Sequence, residues 1–110
     1  RDQTFINRLR DSIRQNMGDS DFTVERLGEE VGLSRVQLYR KVKALTGQTP
    51  VDLLKKARLE RARLLVEKTD KSISEIAYEV GFTAPSYFNK CFKDEFGVSP
   101  GVLRERGSQL

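Results

Sequence analysis

Histidine and tryptophan are absent from this 110-residue sequence, and cysteine and methionine occur once each. Without histidine the chain lacks the commonest general base near neutral pH and the commonest metal ligand. Neither a Ser-His-Asp nor a Cys-His nucleophile can be built from it. A lone cysteine, Cys91, cannot form an intrachain disulfide. Set among phenylalanines at helical spacing, it reads as a buried, inert thiol. No apolar run approaches the roughly 18–20 residues of a membrane span. No apolar leader is present either, since Arg1, Asp2 and Gln3 open an amphipathic segment. The only methionine is Met17, so the chain reads as an excised piece of something longer. Carboxylates at metal-ligand spacing are also missing. An enzyme such as a nuclease is therefore disfavoured, and no catalytic residue, metal or cofactor is expected.

What the chain has in quantity is charge, 33% of all residues, with a net +4. Residues 34–63 hold nine basic side chains (Arg35, Arg40, Lys41, Lys43, Lys55, Lys56, Arg58, Arg61 and Arg63) against Asp52 and Glu60. That segment carries +7 and the remainder −3. A local basic stretch on a weakly acidic body suits a polyanion-facing surface, although a solvated helix face has the same look.

Short helices separated by tight turns account for the rest. Phe5, Ile6, Leu9 and Ile13 recur at helical spacing, and Gly18 follows as a stop. Thr23 can cap a helix carrying Val24, Leu27 and Val31. Ser34 to Gln37 reads as an S-x-x-Q capping box opening a helix with Leu38, Val42 and Leu45 inward. Gly47 supplies a left-handed C-cap. Thr49-Pro50 opens a helix to about residue 67 or 68, with Leu53, Leu54, Ala57, Ala62, Leu64 and Leu65. Ser72 to Glu75 is a second capping box, ahead of Ile76, Ala77 and Val80. A further helix carries Tyr87, Phe88, Cys91, Phe92 and Phe96, and Gly97 closes it. Ser99-Pro100 starts a short final turn with Val102 and Leu103. No window shows the period-two alternation of a sheet.

An internal repeat runs through this series. Leu27-x-x-Glu30-Val31-Gly32-Leu33-Ser34 matches Ile76-x-x-Glu79-Val80-Gly81-Phe82-Thr83 at an offset of 49. From the next helix the offset is 50: Leu38 matches Phe88, Arg40 Lys90, Val42 Phe92, Lys43 Lys93, Gly47 Gly97 and Pro50 Pro100. The second copy thus has one extra residue near Ala84-Pro85. Each copy is a short helix, a glycine turn and a second helix opened by a hydroxyl residue, which is the helix-turn-helix pattern. Gly32 and Gly81 fall where the turn needs positive φ or close approach. Leu33 and Phe82 would plug the interhelical angle. In such a motif the second helix enters the major groove, and its early residues meet base edges. A connecting helix of roughly 18 residues is about 27 Å long. Successive major-groove entries lie about 34 Å apart, so the two reading helices could sit one DNA turn apart.

These residues resemble the AraC/XylS-type DNA-binding domain over about residues 20–105. The resemblance is carried by residues 27–47, by residues 50–65 with Arg58-Leu59 and Ala62, and by residues 73–100. Within the last segment stand Ile76-Ala77-x-x-Val80-Gly81-Phe82, Ser86-Tyr87-Phe88, Phe92-Lys93 and Phe96-Gly97-Val98-Ser99-Pro100. The run SRVQLYRKVKALTG at residues 34–47 is similar to the variant at the C-terminus of hybrid two-component sensor regulators. Two positions depart from the pattern. Gly28 stands where alanine is usual, which should loosen its helix by up to about 1 kcal/mol. Leu103 stands where tyrosine is usual, ahead of Arg104. The resemblance implies an all-α, homeodomain-like fold of about seven helices, with two helix-turn-helix subdomains joined by a linker helix. Residues 1–19 would form a helix leading in from an upstream domain. Residues 20–49 would form the first helix-turn-helix, 50–68 the linker, and 69–110 the second unit with a C-terminal helix.

Spacing and chemistry then select the residues expected to meet DNA. On the first reading helix the face opposite the core offers Arg35, Val36, Tyr39, Arg40 and Lys43. The family resemblance places bases near Val36, Tyr39 and Arg40. Arg40 has a fork that suits guanine, while Val36 or Tyr39 could touch a thymine methyl. Tyr39 reads equally well as a half-buried surface aromatic. On the second helix Pro85, Ser86, Asn89 and Lys90 are expected at bases, with Asn89 suited to adenine and Lys90 to guanine. Tyr87 either packs or contacts phosphate. Ser34 and Thr83 are expected to cap their helices, whose N-termini can hold phosphates. Lys41, Lys43 and Lys93 are the remaining phosphate candidates. The family match gives Arg58 a structural contact. The expected partners are double-stranded DNA, RNA polymerase and the upstream sensor or receiver domains of the same chain. A cytoplasmic site and no membrane contact are expected. The basic run at residues 55–63 lacks the Trp or Phe of an interfacial anchor. A protein-interaction module on a degenerate helix-turn-helix is the alternative, but it would want an apolar or acidic reading face.

Overall fold

The computed structural model describes residues 1–108, and among these it contains seven helices and no strand. They are α1 (Asp2–Asn16), α2 (Val24–Val31), α3 (Arg35–Thr46), α4 (Pro50–Lys68), α5 (Ile73–Glu79), α6 (Pro85–Phe96) and α7 (Pro100–Ser108). The last element is a nine-residue helix, longer than the short turn expected from Ser99-Pro100. The chain divides into two compact units, Arg1–Met17 with Asp21–Ala57, and Gly18–Ser20 with Arg58–Leu110. Helix α4 runs unbroken through both.

The first unit closes on Phe5, Leu9 and Ile13 of α1, Phe22, Leu27 and Val31, Leu38 and Val42 of α3, and Leu54 of α4. The short α2 carries a cap at each end. Thr23 accepts the Arg26 N–H at 3.2 Å, and Gly32 turns left-handed at φ 77°. Leu33 N–H then reaches back to Gly28 O at 2.8 Å, closing a Schellman turn. Several side-chain links tie α1 down, two of them close to its core face. The Glu30 carboxylate accepts from the buried Ser12 hydroxyl at 2.6 Å, and Lys41 Nζ sits 4.4 Å from the centre of the Phe5 ring. Leu45 was expected inward but is 38% exposed, because the last turn of α3 runs past this small core.

The second unit closes on Leu59, Ala62, Leu65 and Val66 of α4, Ile76, Ala77, Val80 and Phe82, and Phe88, Cys91 and Phe92 of α6. Phe82, Phe88, Phe92 and Phe96 form a run of edge-on or tilted ring contacts with centroids 4.7–5.7 Å apart. Leu103 packs against this cluster. Leu64, counted with the apolar residues of α4, is half exposed. It stands two residues after Ala62, so the helix turns it roughly to the opposite face.

Arg104 performs a task that helical periodicity does not reveal. Its Nε donates to Val66 O at 3.1 Å, Nη2 to Thr69 O at 3.2 Å and Nη1 to Lys71 O at 2.6 Å. One guanidinium thereby satisfies carbonyls at and beyond the end of α4, where a helix leaves acceptors unpaired and favours positive charge. Arg58 plays a related part, donating to Asp19 O at 2.9 Å. Burial lowers the Arg58 pKa from its usual value, and nearby Asp19 opposes that shift. The contact agrees with the structural role implied by the family match.

In this first copy Gly28 lets the turn sit closer than a side chain would allow, whereas Ala77 holds the matching position of the second copy. A Cβ built there would lie 2.6 Å from the carbonyl oxygen of Leu33, inside any real contact. Gly28→Ala is therefore expected to lower stability by about 1 kcal/mol, although helix propensity alone favours alanine. Thermal unfolding reads the sign directly. Arg104→Ala is expected to cost about 3 kcal/mol, and Arg104→Lys to restore only part of it, since an ammonium cannot span three carbonyls in a plane. Urea unfolding of both variants checks this.

Candidate nucleic-acid interface

The second helix of each copy presents an exposed face opposite its core residues. On α3 the core side is Leu38 and Val42, both fully buried. Arg35, Val36, Tyr39, Arg40, Lys41 and Lys43 all lie in solvent. Val36 is 59% exposed and Tyr39 48%, far more than packing residues would be. Tyr39 and Arg35 line a shallow cavity of about 230 Å³ with Val24, Thr49, Pro50 and Val51. On α6 Phe88, Cys91 and Phe92 point inward. Ser86, Asn89, Lys90 and Lys93 are exposed, and Pro85 is half-buried. Tyr87 is largely exposed, yet its ring lies 6.0 Å from that of Phe82.

Capping sets where each face begins. Ser34 forms a full capping box: its hydroxyl accepts the Gln37 N–H at 3.2 Å, and the Gln37 side chain accepts the Ser34 N–H at 2.9 Å. Thr83 was expected to do the same for α6 and does not. The N-cap is Ala84, with no side-chain hydrogen bond, and Pro85 takes the first helical position. The extra residue of the second copy moves the helix start one place along. Proline then removes one of the N–H groups a cap would have served. Both helices end alike, with Gly47 at φ 76° and Gly97 at φ 81° receiving the last turn.

Several candidate DNA residues already have partners. Lys43 Nζ donates to Gly47 O at 3.0 Å, closing the end of its own helix. Lys41 lies over Phe5. Arg35 pairs with Glu25 on the first turn of α2. The pKa of Glu25 is lowered by a hydrogen bond from its own backbone and by the Arg35 charge, with Arg35 and Thr23 hydrogen bonds adding to this. Among the described residues no cluster of three potential metal ligands exists, and no helix is long and apolar enough to cross a membrane.

A family model described as a helix-turn-helix domain matches residues 27–106. The histidine kinase P4 of Formosa agariphila is 36% identical over 108 residues, which is 98% of this chain and 8% of the kinase. A transcriptional regulator with an AraC-type DNA-binding domain, from Chromobacterium violaceum, superposes with a TM-score of 0.89 at 28% identity, covering 97% of this chain and 95% of that one. The chain belongs to the AraC-type helix-turn-helix family. A further family structure, the DNA-binding domain of the global transcriptional factor AdpA in complex with a target DNA, superposes with a TM-score of 0.81 at 28% identity, covering 90% of this chain and 91% of that one. The chain spans about a third of the length of the curated regulators it matches.

Within this AraC-type framework, sequence spacing found the two exposed faces but missed the groups that restrain them. Glu25 and Arg35 stand ten residues apart on different helices, beyond any i,i+4 rule. The only sequence cue was an acid in the first turn of α2. The capping difference between the copies is testable. Ser34→Ala is expected to lose about 1 kcal/mol, whereas Thr83→Ala should stay within about 0.5 kcal/mol of the parent. Chemical denaturation of the two single variants makes the comparison.

Proposed function

We propose that this chain is the DNA-reading part of a bacterial transcription regulator, binding specific double-stranded sites with α3 and α6 in successive major grooves. The observation that carries the reading is the repetition of one motif. Two helix-turn-helix copies each bury one face of their second helix and expose a polar one, with Arg40, Lys41 and Lys43 on α3 and Lys90 and Lys93 beside Asp94 and Glu95 on α6. A single copy is also what a plain helical hairpin offers, but a pair on one polypeptide suits a bipartite site. The similarity to a domain solved on its target DNA supports the same reading. Arg40, Val36, Tyr39 and Arg35 would read bases from the first unit, and Pro85, Ser86, Asn89 and Lys90 from the second. Ser34, Lys41, Lys43, Thr83, Tyr87 and Lys93 would lie along phosphates. Lys41 and Lys43 would then have to exchange their present partners for phosphate oxygens.

The kinase relative supports a place as the output end of a hybrid two-component protein, acting in the cytoplasm. Upstream sensor or receiver portions and RNA polymerase are then its partners. The domain itself has no enzymatic part in this scheme.

Titration against random duplex and against a pool enriched on the protein, at two salt concentrations, tests the reading. Steeply salt-dependent binding that selects two short blocks about one helical turn apart supports a bipartite major-groove reader. Absence of binding even at low salt would overturn it in favour of a protein-interaction module. Arg40→Ala is expected to cost roughly 1–3 kcal/mol on the selected site and to relax one base preference. Lys93→Ala should weaken all duplexes alike and flatten the salt slope by about one.

A further inference from the structure

Arg35 is the first residue of α3, where a recognition helix comes nearest to base edges. An exposed arginine there would ordinarily sweep through many rotamers and find phosphate as readily as guanine. Its guanidinium is instead held by Glu25, through Nη1 alone. The contact leaves the Nε–Nη2 edge with no hydrogen bond among the described residues. That edge is one of the two parallel N–H pairs that match a bidentate acceptor such as guanine O6 and N7.

Glu25 is itself held in place. It lies in the first turn of α2, where helix N–H groups and the dipole favour a carboxylate. The backbone amide at this helix start is the largest cause of its lowered pKa, and the Arg35 charge is the next. The Thr23 hydroxyl accepts the Arg26 N–H as the cap of α2. Glu25 thus stands on a capped first turn of α2 and reaches across to Arg35 on α3. The second copy has nothing equivalent. Ser74 stands at the position matching Glu25, and Pro85 at the one matching Arg35.

We infer that Glu25 is a positioning residue for sequence recognition, orienting Arg35 so that its free edge reads a guanine in the first half of the DNA site. The inference rests on the DNA-reading function proposed above and adds a residue that does not itself touch DNA. Both side chains are largely exposed, so the pair adds little to stability. Its effect belongs to specificity. Without the carboxylate the arginine keeps its charge and its attraction to DNA, but loses its fixed direction.

The test uses the whole chain, the duplex it selects from a random pool, every single-base-pair variant of that duplex, and a random duplex. The proteins are the parent, Arg35→Ala, Glu25→Gln, the double variant and Glu29→Gln. Glu29 is an exposed acid on the same helix and controls for loss of one negative charge. Arg35→Ala should reduce discrimination at one base pair by about 5- to 150-fold. Glu25→Gln should reduce it at the same base pair by about five-fold or more, with random-duplex binding changed no more than in Glu29→Gln. The double variant should lose no more than Arg35→Ala does, since one interaction is removed twice. Preserved discrimination in Glu25→Gln, beside its loss in Arg35→Ala, would overturn the role of Glu25 and leave the DNA-reading function standing. Additive losses, or losses at different base pairs, would also overturn it. Intact preferences in Arg35→Ala would remove the base-reading role of Arg35 and the inference with it. A parent chain that selects no duplex would remove the proposed function as well.

Discussion

In both copies a backbone N–H turns back to close the end of the first helix: Leu33 to Gly28 O at 2.8 Å, and Phe82 to Ala77 O at 2.9 Å. Each closure requires one residue at positive φ, and Gly32 (77°) and Gly81 (95°) supply it. The direction of the second helix, the burial of Leu38 or Phe88 beneath it, and the choice of which side chains face outward all follow from that turn. A side chain on Gly32 would be strained by the backbone alone, with no neighbour needed to exclude it. At Gly28 the restriction is of the other kind, since the carbonyl of Leu33 occupies the space a methyl would need.

The copies share this turn and differ in what surrounds it. The first is mostly aliphatic, and α1 completes it through Phe5, Leu9 and Ile13. The second is rich in aromatics, with phenylalanines in edge-on and tilted contact doing the filling that α1 does for the first. It is also pinned by Arg104, whose three carbonyl contacts anchor α7 to the end of α4. One inserted residue near Ala84 changes the opening of the second recognition helix from a reciprocal capping box to a proline start. One repeated sequence pattern thus leads to two second helices whose first turns carry different chemistry.

Most of this architecture was legible in the residue order because it depends on local rules. The S-x-x-Q and S-x-x-E boxes appear in the structure as reciprocal hydrogen bonds at Ser34 and Ser72. Gly47 and Gly97 end their helices left-handed, as a C-cap glycine should. Two departures have a common origin. Thr83 looked like a cap by alignment to Ser34, yet the insertion had moved the helix start past it. Leu45 looked buried by its spacing from Leu38 and Val42, yet it is 38% exposed. Each required knowledge of where an element stops or what lies opposite, which periodicity does not carry. The same holds for the exposed site. Which face of α3 is free follows from Leu38 and Val42, but the Glu25, Phe5 and Gly47 contacts of its cations are tertiary or terminal events.

Those contacts bear on how a DNA surface of this kind can be both stable and selective. A basic face with every cation unrestrained would bind any duplex through its phosphates, because that attraction carries no sequence information. Here Arg35 is directed by a carboxylate, Lys43 by a carbonyl and Lys41 by a ring. The ties of Lys41 and Lys43 lower the gain from a generic phosphate contact, since their existing partners must be given up, whereas Arg35 is limited in direction and keeps its carboxylate. Discrimination is a difference between affinities, so weakening the generic term sharpens it even when the specific term is unchanged. On the proposed reading, the acids beside this basic face belong to its recognition chemistry as much as the arginines and lysines do.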